Sequence, residues 1–219
     1  MGWLSESLSS SIGKKLVVSL TGILLMLFLI IHLAGNLTLF FGHEAFNSYA
    51  GNLEVIKPLV RVIEVLLALV FIFHIFNGVR LWYANKKAKP VKYAVNGSAK
   101  NTDIFARTTF VTGSIIFIFL WIHLQTIWYP YNVNGGEMDL YAKVTGWFSI
   151  WWYSIVYIFA IFLLGFHLTH GFQSAFQTLG LNHKKYFPLI EKIGTWYAWI
   201  ITIGFISIPV YFLLFHGGN

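Results

Sequence analysis

The chain has 219 residues, of which 57% are hydrophobic and only 11% charged, with a mean hydropathy of +0.69 and a formal charge of +7. Soluble domains carry about 25% charged residues, so this composition excludes an ordinary soluble protein and indicates an integral membrane one. The absence of cysteine excludes disulfides, thiolate-held iron–sulfur clusters and haem attached through C-x-x-C-H, so any haem is held non-covalently.

Five apolar runs meet the ~20-residue criterion for a transmembrane helix. In chain order they cover about 16–41, 62–84, 108–129, 147–178 and 193–215. The first is too long for the apolar core of a cleavable signal and is read as a retained span. The fourth lies within Val144–Gly180 and has length to spare, so it must tilt, protrude or begin at the interface. Pro209 is expected to kink the fifth near its end. The longest polar connection, 85–102 (NKKAKPVKYAVNGSAKNT), is basic and shows no apolar periodicity. It reads as a loop able to contact a partner. The expected fold is therefore all-α, a single membrane domain made of a bundle of five transmembrane helices.

Basic residues set the orientation. With the N-terminus in the cytoplasm, the inner segments hold Lys14, Lys15, Arg80, Lys86, Lys87, Lys89, Lys92, Lys100, Arg107, Lys184, Lys185 and Lys192. The outer segments keep only Lys57, Arg61 and Lys143. That asymmetry accounts for the positive charge without nucleic acid. The aromatic clusters Trp128-Tyr129, Trp147 and Trp151-Trp152-Tyr153 suit an interfacial belt.

Each of the first four runs contains a histidine: His32, His74, His123 and His167. An ionisable side chain inside a span is expensive and marks function by default. At 1.5 Å per residue, His32 lies roughly 24 Å from the entry of its helix and His123 roughly 23 Å. These two sit at matching depth in the outer half. His74, about 9 Å from Arg80, belongs to the inner half. Depth alone leaves His167 and His170 open as its mate. The local sequences Phe73-His-Ile-Phe-Asn-Gly78 and Phe166-His-Leu-Thr-His-Gly171 share a pattern that pairs His74 with His167. A glycine on the histidine's face, Gly78, Gly171 or Gly35 after His32, would let a flat macrocycle approach the backbone.

These pairs read as two bis-histidine haems b, an outer one on His32 and His123 and an inner one on His74 and His167. Filling both axial positions favours electron transfer over oxygen chemistry. Each ligand is expected to donate its second ring N–H to a carbonyl one turn earlier. The plain alternative is four helix-packing histidines, satisfied by Ser/Thr hydroxyls or carbonyls; His43, His183 and His216 at the span ends read as solvated.

With four histidines on four consecutive spans, the segment Glu44-Ala45-Phe46-Asn47 after the first span and Phe-His-x-x-x-Gly on the fourth, the chain resembles the cytochrome b subunit of succinate dehydrogenase and fumarate reductase. The likeness is to the type with one five-helix anchor and two haems. It implies ligands at His32, His74, His123 and His167, with His170 a departure from the family pattern. It also implies a flavoprotein carrying FAD and an iron–sulfur subunit as partners on the cytoplasmic face of a bacterial membrane. Menaquinone is then reduced near the outer haem, and succinate chemistry takes place on the partners.

Quinone reduction needs a titratable group with water access. The candidates are Glu44, which ranks first as proton donor, His43 and Glu64, the last more readily read as an interfacial ion pair with Arg61. Arg80 and Lys14/Lys15 can serve inner propionates, and Arg61, Lys57 or Tyr131 outer ones. Competing readings are the cytochrome b of a hydrogenase or formate dehydrogenase, and a transporter without cofactor.

Overall fold

The computed structural model describes residues 10–88, 104–133 and 138–216, together with Gly2 and Glu6. Helices dominate and no strand occurs among the described residues. Helix α1 (Ser11–Leu37) starts at Ser10, whose Oγ accepts the Gly13 N–H at 3.0 Å, an N-cap that satisfies one of the free amides of the first turn. It runs on through a 3₁₀ turn, Thr38–Phe41, to Gly42. Gly42 has φ +92°, a backbone that glycine adopts without the penalty of a Cβ. That turn folds the chain into the short helix α2 (His43–Val55).

Helix α3 is Lys57–Lys87, with Pro58 in its first turn, and α4 is Ile104–His123. A π-helical turn, Leu124–Trp128, joins α4 to α5 (Tyr129–Val133) in one continuous element. Then come α6 (Leu140–Phe148), α7 (Trp151–Thr178) and α8 (Phe187–His216), with Pro209 inside α8. Five of these elements are long and apolar enough to cross a membrane: Ser11–Phe41, Lys57–Lys87, Ile104–Val133, Trp151–Thr178 and Phe187–Phe215. The fourth apolar run of the sequence is divided. Val144–Phe148 belongs to α6, the chain is extended at Ile150, and the spanning helix begins at Trp151. Ser154 Oγ donates to the Phe148 carbonyl at 2.6 Å, which satisfies a terminal acceptor of α6 that the break leaves without a helical partner. Of the basic loop 85–102, α3 includes residues 85–87, and residues 89–102 lie outside the described part.

The spanning helices alternate in direction. One end of the bundle carries α2 and α6 and is called here the capped end. The other carries the N-terminus and is rich in Lys and Arg: Lys14, Lys15, Arg80, Lys86, Lys87, Arg107, Lys184, Lys185 and Lys192. Large apolar side chains such as Leu27, Ile31, Leu66, Ile118, Ile200 and Leu214 are exposed on the flanks, as expected of surfaces that face lipid.

Apolar helices gain little by leaving lipid for each other, so close approach and hydrogen bonds must hold them. Gly165 of α7 is such a place. A Cβ there would stand 2.5 Å from Thr202 Oγ1 of α8. Thr202 is buried and donates to the Ala198 carbonyl at 2.7 Å, so its rotamer is held. Between α8 and α1, Tyr197 Oη donates to the Met26 carbonyl at 2.7 Å.

At the capped end, Leu39, Phe46, Val144, Phe148, Tyr153 and Phe212 form one buried cluster. A polar latch on the surface joins α2 to α6. Asn47 donates to Asp139 Oδ1 at 2.9 Å and accepts the Tyr141 N–H at 3.0 Å, while His43 Nε2 lies 2.9 Å from Asp139 Oδ2. Asp139 is also the N-cap of α6, accepting the Ala142 N–H at 3.0 Å. The Ala142 amide first, then Asn47 and His43, hold the Asp139 carboxyl down to about 2.

Two outcomes are expected. Gly165→Ala should lower the thermal midpoint of the detergent-solubilised protein, costing about 1–3 kcal/mol by overpacking, and adding Thr202→Ala should recover most of it. A depressed carboxylate contributes stability above its unfolded value of about 4 and loses it as pH falls through the folded one. Hydrogen exchange in the first turn of α6, corrected for intrinsic rates, should therefore stay level from pH 8 to 5 and rise only towards pH 2.

Candidate metal centres

Two pairs of imidazoles meet inside the bundle. His32 of α1 and His123 of α4 have ring centroids 5.8 Å apart at 86°. His74 of α3 and His167 of α7 have centroids 6.3 Å apart at 75°. Of the two α7 histidines, His167 is the one that faces His74. His170 lies one turn further toward the basic end, close enough to act on His167 electrostatically. The α3 residue in the corresponding place, Asn77, is buried and donates to the Phe73 carbonyl at 2.9 Å. The His74 pair lies at the level of Thr21, and His32 is eleven residues further along α1, so the two pairs are stacked about 16 Å apart along the bundle.

The polar surroundings of the His74 pair fix which nitrogen is free. Thr21 donates its hydroxyl to the Val17 carbonyl at 2.6 Å. With that proton used, Oγ1 acts as acceptor toward His74 Nδ1, 3.2 Å away, so Nδ1 carries the hydrogen. Thr112 repeats the arrangement, donating to the Thr108 carbonyl at 3.1 Å with its oxygen 3.4 Å from His167 Nδ1. The main chain of Val18 also acts on His74, and that of Thr109 on His167. A Cβ on Gly22 or Gly113 would lie 3.4 Å or 3.3 Å from the Cε1 of the adjoining imidazole, so glycine lets each ring lie against the neighbouring helix.

The expected partner, a carbonyl one turn earlier on the ligand's own helix, is therefore replaced by a hydroxyl and main chain from the adjacent one. At the other level His123 Nδ1 lies 3.2 Å from Tyr157 Oη of α7. His32 packs its ring on Phe28 at 5.1 Å and Phe205 at 5.6 Å. Gly35, expected beside a macrocycle, instead admits Tyr49 of α2, whose hydroxyl occupies the space a Cβ would take.

These supports follow a repeat that the histidine positions alone do not reveal. Helix α1 carries Thr21-Gly22, Phe28 and His32-Leu33, and α4 carries Thr112-Gly113, Phe119 and His123-Leu124, the same Thr-Gly-x5-Phe-x3-His-Leu spacing. The Phe-His-x-x-x-Gly segments follow on α3 and α7. The described helices α1–α3 and α4–α7 thus contain two copies of one two-helix unit, and each imidazole pair takes one member from each copy. Self-comparison of the sequence exposes this signal, because Thr and Phe recur at helical spacings with the histidine.

Two metal–imidazole bonds of about 2 Å, each continued about 1 Å to the ring centre, separate ring centres by roughly 6 Å. Both pairs match that spacing, and at His74, His123 and His167, where Nδ1 is engaged, Nε2 is the nitrogen left for a metal. No group of three or more His, Cys, Asp or Glu side chains gathers as a metal site among the described residues. Two imidazoles therefore suit a cofactor that brings its own equatorial nitrogens, as haem does.

The capped end also holds two cavities. One of about 280 Å³ is lined by His43, Asn47, Tyr131 and Asp139 among others. The second, about 130 Å³, is bounded by Phe46, Leu53, Val60 and Leu140 with Glu54, Arg61, Glu64 and Trp128 at its polar edge. Glu64 accepts from Arg61 at 2.7 Å and from Trp128 Nε1 at 2.8 Å, so the ion pair read from the sequence is present with an added indole. Glu54 accepts from Lys57 at 2.7 Å, and that hydrogen bond holds its carboxyl below the usual range. Glu44 is exposed in the first turn of α2 and lines neither cavity. Arg80 is exposed and lies over the Phe76 ring at 5.2 Å.

No curated protein and no solved structure matches the chain. Residues 16–96 match the family model of the succinate dehydrogenase/fumarate reductase transmembrane subunit. The match includes α1, α2 and α3 from Leu16 onward, with His32, His74, Thr21 and Gly22. Over that part, a little over a third of its length, the chain is similar to this family of transmembrane subunits.

Proposed function

We propose that the chain is the membrane anchor of a succinate dehydrogenase or fumarate reductase complex, holding two haems b and linking an iron–sulfur subunit to menaquinone. The observation that carries this reading is the pair of facing imidazole couples, stacked along a bundle whose first third matches the family model. A haem held between two imidazoles changes between ferric and ferrous iron by one electron at a time. His32 and His123 hold the outer haem, His74 and His167 the inner one. Thr21 and Thr112 fix the tautomer and rotation of the inner ligands, which keeps Nε2 on iron.

The positive-inside rule puts the basic end in the cytoplasm and the capped end outside, in a bacterial cytoplasmic membrane. The basic end then offers its lysines and arginines to an acidic face of the iron–sulfur subunit, with the FAD-bearing flavoprotein beyond it. Arg80 stands at that end as a partner for inner propionates. Reducing a quinone takes up two protons, and the groups placed to pass them from water are at the capped end. Glu44 meets solvent directly. His43 and Asp139 edge the larger cavity, and Glu64, held by Arg61 and Trp128, edges the apolar one.

A reduced-minus-oxidised optical spectrum tests the reading. Two b-type haems per chain are expected, with a copurifying FAD protein and iron–sulfur protein. A spectrum without a b-type signal would overturn it, and one haem per chain would overturn the pairing. His123→Ala should remove the outer haem and abolish succinate-to-quinone electron transfer, while succinate oxidation with an artificial acceptor persists. His74→Ala should remove the inner haem instead.

A further inference from the structure

We infer that Tyr157 is a positioning residue for His123, taking the imidazole Nδ1–H on its phenol oxygen and so tuning the haem at the capped end alone. The inference rests on the two-haem reading above and deepens it. The phenol is built into the core: Tyr157 is 4% and Tyr153 1% exposed. Phe119 and Phe148 enclose Tyr157 with ring centroids at 4.8 Å and 5.1 Å.

From His123 Nδ1 the contact to Tyr157 Oη is 3.2 Å, Tyr153 donates its hydroxyl to Tyr157 Oη at 2.7 Å, and Tyr153 Oη lies 2.7 Å from Thr126 Oγ1. Thr126 closes the loop by donating to the Ile122 carbonyl at 2.8 Å. The chain thus leaves α4 at His123, crosses to α7 and returns at Thr126, three residues further on, which bonds the carbonyl of Ile122. Its return point lies in the π-helical turn Leu124–Trp128 that begins directly after the histidine. Such turns are rare and gather at functional positions. Here the turn carries Thr126, the residue that closes the loop.

The other three imidazoles lack this device. His74 and His167 meet threonines that are bonded back to their own helices, and His32 meets the rings of Phe28 and Phe205. The repeat sharpens the contrast. Tyr157 stands ten residues before His167, and the residue ten before His74 is Glu64, which is engaged with Arg61 and Trp128.

With iron on Nε2, Nδ1 must carry a proton, and a buried N–H needs an acceptor. The hydroxyl that Tyr153 donates to Tyr157 holds this phenol oxygen in place beside the imidazole. A better acceptor makes the imidazole more electron-rich, which favours ferric iron and lowers the reduction potential.

The experiment is redox titration of the intact complex, with electron paramagnetic resonance of its ferric haems. In Tyr157→Phe the potential of the capped-end haem should rise and its low-spin signal should shift, while the other haem keeps both. Tyr153→Phe, which does not touch His123, should move the potential of the same haem by less and leave the other haem unmoved; it carries the test if Tyr157→Phe fails to assemble. Unmoved potentials, or equal movement of both haems, would overturn the inference even if thermal stability falls. A wild-type complex without two b-type haems would instead sink the two-haem reading itself.

Discussion

An imidazole in hydrocarbon has two nitrogens to satisfy, and this bundle supplies a side-chain hydroxyl for Nδ1 at three of its four central histidines. Water is absent there, so an unmatched polar atom costs several kcal/mol. The rings come in pairs whose centroids lie at the separation that two metal–imidazole bonds would set. A packing histidine would be expected to use both nitrogens on its own protein. The threonine and glycine neighbours make sense as supports that hold a ring at fixed rotation while leaving its far corner clear.

The two ends of the molecule are built differently. At the basic end the described helices stop in Lys- and Arg-bearing segments. The capped end has two extra short helices, an apolar cluster, a latch of His43, Asn47 and Asp139, and two cavities with acidic edges. The phenol and hydroxyl chain from His123 also ends there. Cavities and acidic side chains are gathered at the end away from the Lys- and Arg-rich one, a division the proposed passage of electrons from one face to the other would use.

Much of this was legible in the sequence because membrane spans impose long-range order on a one-dimensional pattern. Depth along a helix is a count of residues, and it matched His32 to His123 before any contact was known. The shared Phe-His-x-x-x-Gly segment matched His74 to His167. What could not be read from one helix were the partners lent by its neighbour. Thr21, Thr112 and Tyr157 each contact a histidine on a different element, and such contacts depend on helix rotation and closeness. Gly35 shows the same limit: its spacing from His32 suggested room for a ring, but Tyr49 from α2 fills it. The break at Ser149-Ile150 was hidden by the apolar character of both α6 and α7, and only the hydrogen bond from Ser154 to Phe148 marks where one helix ends.

The repeated two-helix unit has a consequence for how the protein comes into being. His32 and His74 are made first, but neither has a mate within its own unit. Both couples close only when α4 and α7 have entered the bilayer beside α1 and α3. A ribosome that stalls after the first unit leaves two solitary imidazoles in lipid and no complete binding place. On the proposed two-haem reading, cofactor loading would have to wait for insertion of the fourth spanning segment. The last described helix, α8, then ties α1 to α7 through Tyr197 and Thr202.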